Sequence, residues 1–196
     1  MDVSASTHWA SEAIPVQGPR RYFAPTNNQS MGWAIPASIA GQLVAPNHRV
    51  TCVTGDGCFL MSGMEISTAV RAALPVKFFV FDDGAYHYMQ MLQQPVYRRT
   101  NATEIANLNF GAFAAATRMA FNEITSNADV ATGIARAMRQ PGPVLTRVAV
   151  SYEGREIRWL SALKNTYLDK LKTAQKLRMG TRVAARTAVK PLLHDD

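Results

Sequence analysis

The chain has 196 residues, of which 47% are hydrophobic and 18% are charged, a balance typical of globular proteins that excludes general disorder. Its length fits one α/β domain with an appendage better than two full domains. The net charge of +7 is uneven, with 11 Lys and Arg against 9 Asp and Glu in residues 1–150, and 10 against 5 in residues 151–196. Because the excess positive charge lies on a terminal segment, we expect no nucleic-acid partner.

No apolar run approaches the roughly 20 residues that span a bilayer, and the first residues lack the basic start and apolar middle of a signal peptide. The two cysteines, Cys52 and Cys58, have no histidine partners at metal-binding spacing, which argues against a zinc module or a disulfide scaffold. We therefore predict a soluble cytoplasmic protein that does not contact a membrane.

Short runs of β-branched and aromatic residues alternate with helical patterns, an order typical of parallel βα units. The predicted strands are Arg21–Ala24, Arg49–Thr54, Val76–Asp82, Arg118–Ile124 and Val144–Val150. The predicted helices are Met31–Leu43, Leu60–Ala73, Ala85–Val96, Phe110–Thr117 and Asp129–Arg139. Because the middle strands are nearly all apolar, both faces of the sheet should be covered. The sequence thus predicts an α/β fold, a parallel sheet with helices on both faces.

A second helical pattern begins near Glu153, with apolar residues at helical spacing among several lysines, and predicts a C-terminal helical tail. The pattern weakens after Gly180, so we expect the end of the tail to be partly flexible. The predicted organisation is an α/β domain over residues 1–152 and a basic helical tail over residues 153–196.

Two acidic turns follow consecutive predicted strands, at Gly55–Gly57 and at Asp82–Gly84. Open parallel sheets bind ligands at the carboxyl ends of their strands, and the N–H groups of the helices that follow can bind anions. Three carboxylates, those of Asp56, Asp82 and Asp83, would repel one another and a polyanion unless a cation lay among them. Magnesium fits because it binds carboxylate and phosphate oxygens together.

Two other interpretations of the first turn stay open. A Gly-Asp-Gly turn is common, and alone it would be compatible with a purely structural role. A dinucleotide site would need glycine at the third position of G-x-G-x-x-G, where this chain has Leu60, so that interpretation is weak.

This stretch resembles the diphosphate-binding half of thiamine-diphosphate enzymes of the acetolactate synthase, pyruvate decarboxylase and benzoylformate decarboxylase family. The family has Gly-Asp-Gly followed, some two dozen residues later, by a pair usually written Asn-Asn, which here is Asp82-Asp83. The resemblance implies that the side chains of Asp56 and Asp83 and the backbone oxygen of Ala85 bind magnesium. An aspartate in place of the asparagine adds a negative charge, but it is still a hard oxygen ligand.

Further residues resemble the family on either side. Residues 30–37 are similar to its Met-Gly-x-x-x-Pro-Ala segment, which implies that Met31 wedges under the bent cofactor and that the Gln29 backbone oxygen accepts from the aminopyrimidine. Residues 2–10 are similar to its first phosphate loop. The cofactor-binding residues implied are Ser6, Thr7, Gln29, Met31, Gly55, Asp56, Gly57, Cys58, Asp83, Ala85 and Tyr86.

The helix after Asp83 begins with His87, Tyr88 and Met89, where the family turns side chains toward its substrate. His87 is the candidate catalytic residue because histidine transfers protons near neutral pH, although a structural histidine is an equal alternative. Tyr88 and Met89 are candidate substrate-binding residues.

The resemblance covers about residues 2–150 and implies an enzyme, a lyase or transferase that binds thiamine diphosphate and magnesium and acts on a 2-oxo acid by decarboxylation or carboligation. In the family, the glutamate that protonates the aminopyrimidine belongs to a separate pyrimidine-binding domain, and the six glutamates here lie in other segments. The family's diphosphate domain also begins with a helix and a strand before the first loop.

We therefore expect a split enzyme, a hetero-oligomer in which a second polypeptide carries the pyrimidine-binding domain, and a small-molecule substrate. The alternatives are a non-catalytic cofactor-binding partner subunit, a small subunit of the sulfopyruvate or phosphonopyruvate decarboxylase type, and an interaction protein that acts through its basic tail.

Overall fold

A computed structural model of the chain describes residues 1–155 and six isolated positions between 173 and 181. The described helices and strands, in chain order, are α1 (Ala5–Ala13), α2 (Ala34–Val44), β1 (Thr51–Gly55), α3 (Asp56–Ser62), α4 (Ile66–Arg71), β2 (Lys77–Asp82), α5 (His87–Tyr97), α6 (Phe110–Ala116), β3 (Ala120–Ile124), α7 (Val130–Arg139) and β4 (Val144–Ala149). The predicted helical tail falls almost wholly outside the described residues.

The chain divides into two compact units. The first contains Met1–Tyr86 and Glu104–Tyr152, and the second contains His87–Thr103 with the chain after Tyr152. All four strands belong to the first unit. The predicted boundary between domain and tail at residue 152 stays a prediction.

The four described strands form one parallel sheet in the order β1–β2–β4–β3. Gly55 is in register with Phe81, and Asp82 is in register with Ala149. The carboxyl ends of β1, β2 and β4 therefore lie side by side. This arrangement places both acidic turns at one edge of the sheet.

Helices cover both faces of the sheet, as predicted. Alternate strand residues point to opposite faces; on one face Phe78 and Leu145 pack with Ile35 of α2 and Phe110 of α6. On the other face Phe79, Ile124 and Val144 form a smaller cluster with Ala137 of α7. Among the described residues, no helix is both long and apolar enough to cross a bilayer.

Two predicted elements differ from the structure, and one helix was not predicted. Arg21–Ala24 is not a strand in the structure; Phe23 is 59% exposed, so these residues add no strand to the sheet. The helix predicted over Leu60–Ala73 is interrupted by a 3₁₀ turn at Gly63–Glu65, and helical structure already begins at Asp56. Helix α1, which the sequence analysis treated only as a phosphate loop, was missed.

Candidate functional site

The Asp56 carboxylate joins the two acidic turns. Asp56 is the first residue of α3 and is 5% exposed. One carboxylate oxygen accepts a hydrogen bond from the backbone N–H of the next residue, Gly57, at 2.7 Å. The other accepts from the backbone N–H groups of Asp83 at 3.1 Å and Gly84 at 2.7 Å. The ends of β1 and β2 therefore form one site held together by a single side chain.

Electrostatic repulsion is concentrated at Asp83. Burial, followed by the charges of Asp56 and Asp82, raises the pKa of Asp83 to about 7. Burial also raises the pKa of Asp56, although the hydrogen bonds that it accepts from three backbone N–H groups oppose the shift. Carboxylates placed in this way favour a cation beside them, because a cation stabilises their charged forms.

Asp82 has a different partner from the other two acids. Its carboxylate accepts from Arg147 Nε on β4 at 2.6 Å, and Arg147 also donates to Glu123 of β3 at 2.7 Å. Asp82, Arg147 and Glu123 thus form a row across three neighbouring strands. Arg147 therefore pairs with Asp82, which is not one of the two aspartates predicted to bind a metal, Asp56 and Asp83.

The loop after β2 is fixed by the segment that precedes α6. Ala85 forms an antiparallel bridge with Glu104, and the Gly84 carbonyl accepts from the Ile105 N–H at 3.3 Å. Gly84 has a φ of +74°, in the left-handed region that favours glycine. This turn orients the backbone around Ala85, the implied third oxygen ligand.

Gly57 lies against the ring of Tyr86. A Cβ at position 57 would be 2.5 Å from Tyr86 Cε1, which is closer than a carbon contact permits. The glycine is therefore needed for the backbone of α3 to approach the loop after β2. The contact brings two of the predicted cofactor-binding residues together.

Asp2 is a site residue that the sequence analysis missed. It is fully buried, and its carboxylate accepts from the backbone N–H groups of Val3, Gly32 and Ala34 at 2.8–3.1 Å and from the Thr54 hydroxyl at 3.4 Å. The negative charge lies at the first turn of α2, where it is favourable. Because Gly32, Ala34 and Thr54 lie 30 or more residues away, no local sequence pattern could have found them.

The first loop lies directly on the β1–α3 turn. The Cys58 thiol donates to the Val3 carbonyl at 2.8 Å, and a Cβ at Gly55 would be 3.1 Å from Ser4 Cβ. Burial raises the pKa of Cys58 to about 12, so the thiol is not a nucleophile near neutral pH. Cys58 and Gly55 therefore act here through packing and backbone position.

Ser6 and Thr7 lie in the first turn of α1. The Thr7 hydroxyl donates to the Asp2 carbonyl and accepts from the Ser4 N–H at 3.1 Å, so it already stabilises the loop. Ser6 is buried, and its hydroxyl lies 2.6 Å from the Ser4 hydroxyl. Of the two predicted diphosphate donors, Ser6 is the one without a bond to the loop backbone among the described contacts.

The segment of Gln29 and Met31 is positioned by Asp2. Gln29 has a φ of +48° and Gly32 a φ of +82°, so the chain turns sharply on both sides of the half-buried Met31. The N–H groups of Gly32 and Ala34 both donate to the Asp2 carboxylate. This carboxylate thereby links the Met31 segment to the loop that carries Ser6.

The remaining predicted residues belong to the second unit. His87, Tyr88 and Met89 form the first turn of α5. Burial lowers the pKa of His87, which keeps the imidazole neutral at neutral pH. Their catalytic and substrate-binding roles stay predictions.

The residues present suit a magnesium ion and a diphosphate. In residues 1–155 and the other described positions, no cluster of three His, Cys, Asp or Glu side chains could hold a metal. A metal site here would therefore use two carboxylates with backbone and phosphate oxygens, which is the ligand set that magnesium prefers. Burial, and then the charges of Asp56 and Asp82, raise the pKa of Asp83, and a cation beside these carboxylates would oppose that shift.

The sheet is parallel, and its two acidic turns are joined at the carboxyl ends of adjacent strands. This arrangement is typical of a class of protein, the open α/β domains that bind a cofactor at this edge of the sheet. The model for the C-terminal TPP binding domain of thiamine pyrophosphate enzymes matches residues 2–148. Since the match covers most of the chain, the chain belongs to this family, and its predicted membership is confirmed.

Curated relatives point to acetolactate synthases. A Mycobacterium tuberculosis protein, provisionally named as an acetolactate synthase large subunit, is 32% identical over 155 residues, which are 78% of this chain and 28% of that protein. Acetolactate synthase of Bacillus subtilis is 30% identical over 77% of this chain and 26% of its own length. The large subunit of Escherichia coli acetolactate synthase isozyme 1 is 29% identical over 78% and 27%. The chain thus spans little more than a quarter of each relative.

Proposed function

We propose that this chain supplies the diphosphate- and magnesium-binding half of a thiamine-diphosphate enzyme that acts on a 2-oxo acid, as in acetolactate synthases. One observation carries the proposal: a single buried carboxylate, Asp56, joins the two acidic turns at 2.7–3.1 Å within the segment that matches the family model. The class of reaction is decarboxylation of the 2-oxo acid, carboligation, or both.

The metal would be held by the carboxylates of Asp56 and Asp83 and the backbone oxygen of Ala85. The backbone N–H groups of Gly57 and Cys58 and the Ser6 hydroxyl would donate to the diphosphate. The charges of Asp56 and Asp82, which after burial raise the pKa of Asp83, support this assignment, because a bound magnesium ion would offset them.

Thiamine diphosphate, when bound, supplies an electron sink for breaking or forming a carbon–carbon bond next to a carbonyl. Met31 would hold the cofactor in a bent shape, and the Gln29 backbone oxygen would accept from its aminopyrimidine. The left-handed φ of Gln29 and the bonds from Gly32 and Ala34 to Asp2 fix the backbone here. This fixed backbone lowers the entropic cost of positioning the cofactor. His87 would transfer protons, with Tyr88 and Met89 against the substrate.

A second polypeptide would provide the pyrimidine-binding domain and its glutamate. One observation supports this part. In the described first unit, Glu123 pairs with Arg147, and Glu12, Glu65 and Glu104 are exposed. The active protein would then be a cytoplasmic hetero-oligomer.

Isothermal titration of the full chain with thiamine diphosphate, with and without magnesium, tests the proposal. We expect saturable, magnesium-dependent binding by the wild type and its loss in Asp56→Ala and Asp83→Ala, since each removes a metal ligand. Glu12→Gln is the matched control, because it removes one exposed carboxylate from α1 and should bind as the wild type does. Undiminished binding by both aspartate variants would rule out the site.

A further inference from the structure

Tyr152 follows β4 and lies outside the segment that the family model matches, which ends at residue 148. The Val150 N–H donates to the Asp82 carbonyl at 3.1 Å, so the chain leaves β4 beside the loop that carries Asp83. Two residues later, Tyr152 is placed at the carboxyl edge of the sheet. This is the edge at which the two acidic turns meet.

The ring of Tyr152 stacks on Trp9 of α1. The two ring centroids are 4.9 Å apart, and the ring planes are within 4° of parallel. Ser6 and Trp9 are three residues apart on α1 and so lie one turn apart on the same side of the helix. The stack therefore places Tyr152 along the side of α1 that carries Ser6.

The Tyr152 hydroxyl faces the site. It lies near enough to the Ser6 side chain, and to Asp83 and Asp56, for all three to act on its pKa. Burial, and then the charge of Asp83, raises the pKa of Tyr152 above its usual range. The phenol consequently stays protonated and neutral, so it adds a hydrogen-bonding group but no further negative charge.

Hydrogen bonds and packing connect Tyr152 to the first acidic turn. Ser6 is 4% exposed, and its hydroxyl lies 2.6 Å from that of Ser4. Ser4 in turn packs against Gly55, the residue before Asp56. Movement of Tyr152 would therefore release Ser6, the hydroxyl assigned above to the diphosphate.

We propose that Tyr152 is a positioning residue of the diphosphate site: its ring fixes α1 through Trp9, and its hydroxyl orients the Ser6 hydroxyl toward the bound phosphate. The inference rests on the proposed function, because it takes the diphosphate to bind at Asp56 and Asp83.

The test is titration of the full chain with magnesium and thiamine diphosphate in Tyr152→Phe, which keeps the ring and removes the hydroxyl. We expect the dissociation constant to rise about threefold to tenfold, as for the loss of one hydrogen bond, while Tm without ligand stays within about 2 °C of the wild type. Tyr97→Phe is the matched control, since Tyr97 is an exposed tyrosine of the second unit, and it should bind as the wild type does.

A double-variant comparison separates positioning from a general structural role. Because Tyr152 acts through Ser6, the variant with both Ser6→Ala and Tyr152→Phe should bind no more weakly than Ser6→Ala alone. Losses that add would overturn the inference. Unchanged affinity in Tyr152→Phe, with or without a lower Tm, would also overturn it.

The wild type and Asp56→Ala, titrated alongside, show which proposal fails. If the wild type does not bind magnesium thiamine diphosphate, the proposed function and this inference both fail. If the wild type binds, Asp56→Ala does not, and Tyr152→Phe equals the wild type, the proposed function stands and the inference about Tyr152 fails.

Discussion

Asp56 combines two roles in one short side chain. Its first oxygen bonds the next backbone N–H at the start of α3, while its second reaches across to the backbone of Asp83 and Gly84. Forming these bonds costs little side-chain entropy, because an aspartate has few rotamers to lose. A metal that bridges a carboxylate and a phosphate needs such a fixed spacing between two strand ends.

Asp83 shows what the departure from the family's usual asparagine does. Its pKa is raised to about 7 by burial and by the charges of Asp56 and Asp82, a cost that a neutral amide would not carry. Arg147 limits the cost by neutralising Asp82 at 2.6 Å. In the function that we propose, a bound divalent cation would neutralise the remaining charge, so the aspartate would make the site more dependent on that metal.

Gly57→Ala tests the close approach of α3 to the loop after β2. The new Cβ would lie 2.5 Å from Tyr86 Cε1, so the ring must move away from the turn. We expect magnesium thiamine diphosphate to bind about tenfold more weakly, a loss of about 1.4 kcal/mol, by isothermal titration. The same clash should lower the Tm of Gly57→Ala. Removing the ring in the double variant Gly57→Ala/Tyr86→Ser should remove the clash and restore that Tm. Wild-type affinity in Gly57→Ala would contradict this role of Gly57.

Among the helices, α7 packs closely on β3 at Gly133. A Cβ at Gly133 would lie 2.4 Å from Ile124 Cγ1 of β3. The Gly133 carbonyl also accepts from the Asn122 side-chain amide at 3.0 Å. Because both contacts join α7 to β3, the helix cannot shift without loss of packing or of a buried hydrogen bond.

Gly133→Ala should therefore destabilise the protein by about 1–3 kcal/mol, the usual cost of overpacking a core. Denaturant unfolding followed by circular dichroism measures this difference. Gly142→Ala is the matched control, because a Cβ at position 142 has no atom within 4 Å. Equal stability of the two variants would show that α7 does not pack on β3 as described.

Strand β2 was predictable because its apolar run is long and continuous. Phe78, Phe79 and Val80 are all buried, which is the pattern of a strand covered on both faces. Arg21–Ala24 has only two large apolar residues between Pro19 and Pro25, too few to bury a strand. Helix α1 has few large apolar residues, so periodicity could not reveal it.

The candidate site was predictable only in part. The positions of the two Gly- and Asp-rich turns predicted that Asp56, Asp82 and Asp83 lie close together, since strand order brings such turns together. The choice of Asp56 and Asp83 among them came from the family resemblance and stays a prediction. Asp2 and Tyr152 could not be found in this way. Their partners, such as Gly32, Thr54 and Ser6, are distant in sequence, and only the folded chain brings them close.

At the scale of the whole molecule, the first unit gathers loops from four parts of the chain at one edge of the sheet. The loop at Asp2, the Met31 segment and the turns at Asp56 and Asp83 are linked by hydrogen bonds to two carboxylates. In our proposal these loops form the diphosphate side of the cofactor site.

In the function that we propose, Asp56 and Asp83 hold a metal that also contacts the diphosphate. Electron–nuclear double resonance of the chain with Mn²⁺ in place of magnesium and with thiamine diphosphate tests it, because phosphorus couples strongly to a metal bound through phosphate oxygen. We predict ³¹P coupling in the wild type and its loss in Asp56→Ala and Asp83→Ala. Mn²⁺ bound without ³¹P coupling, or coupling that persists in both variants, would contradict the account.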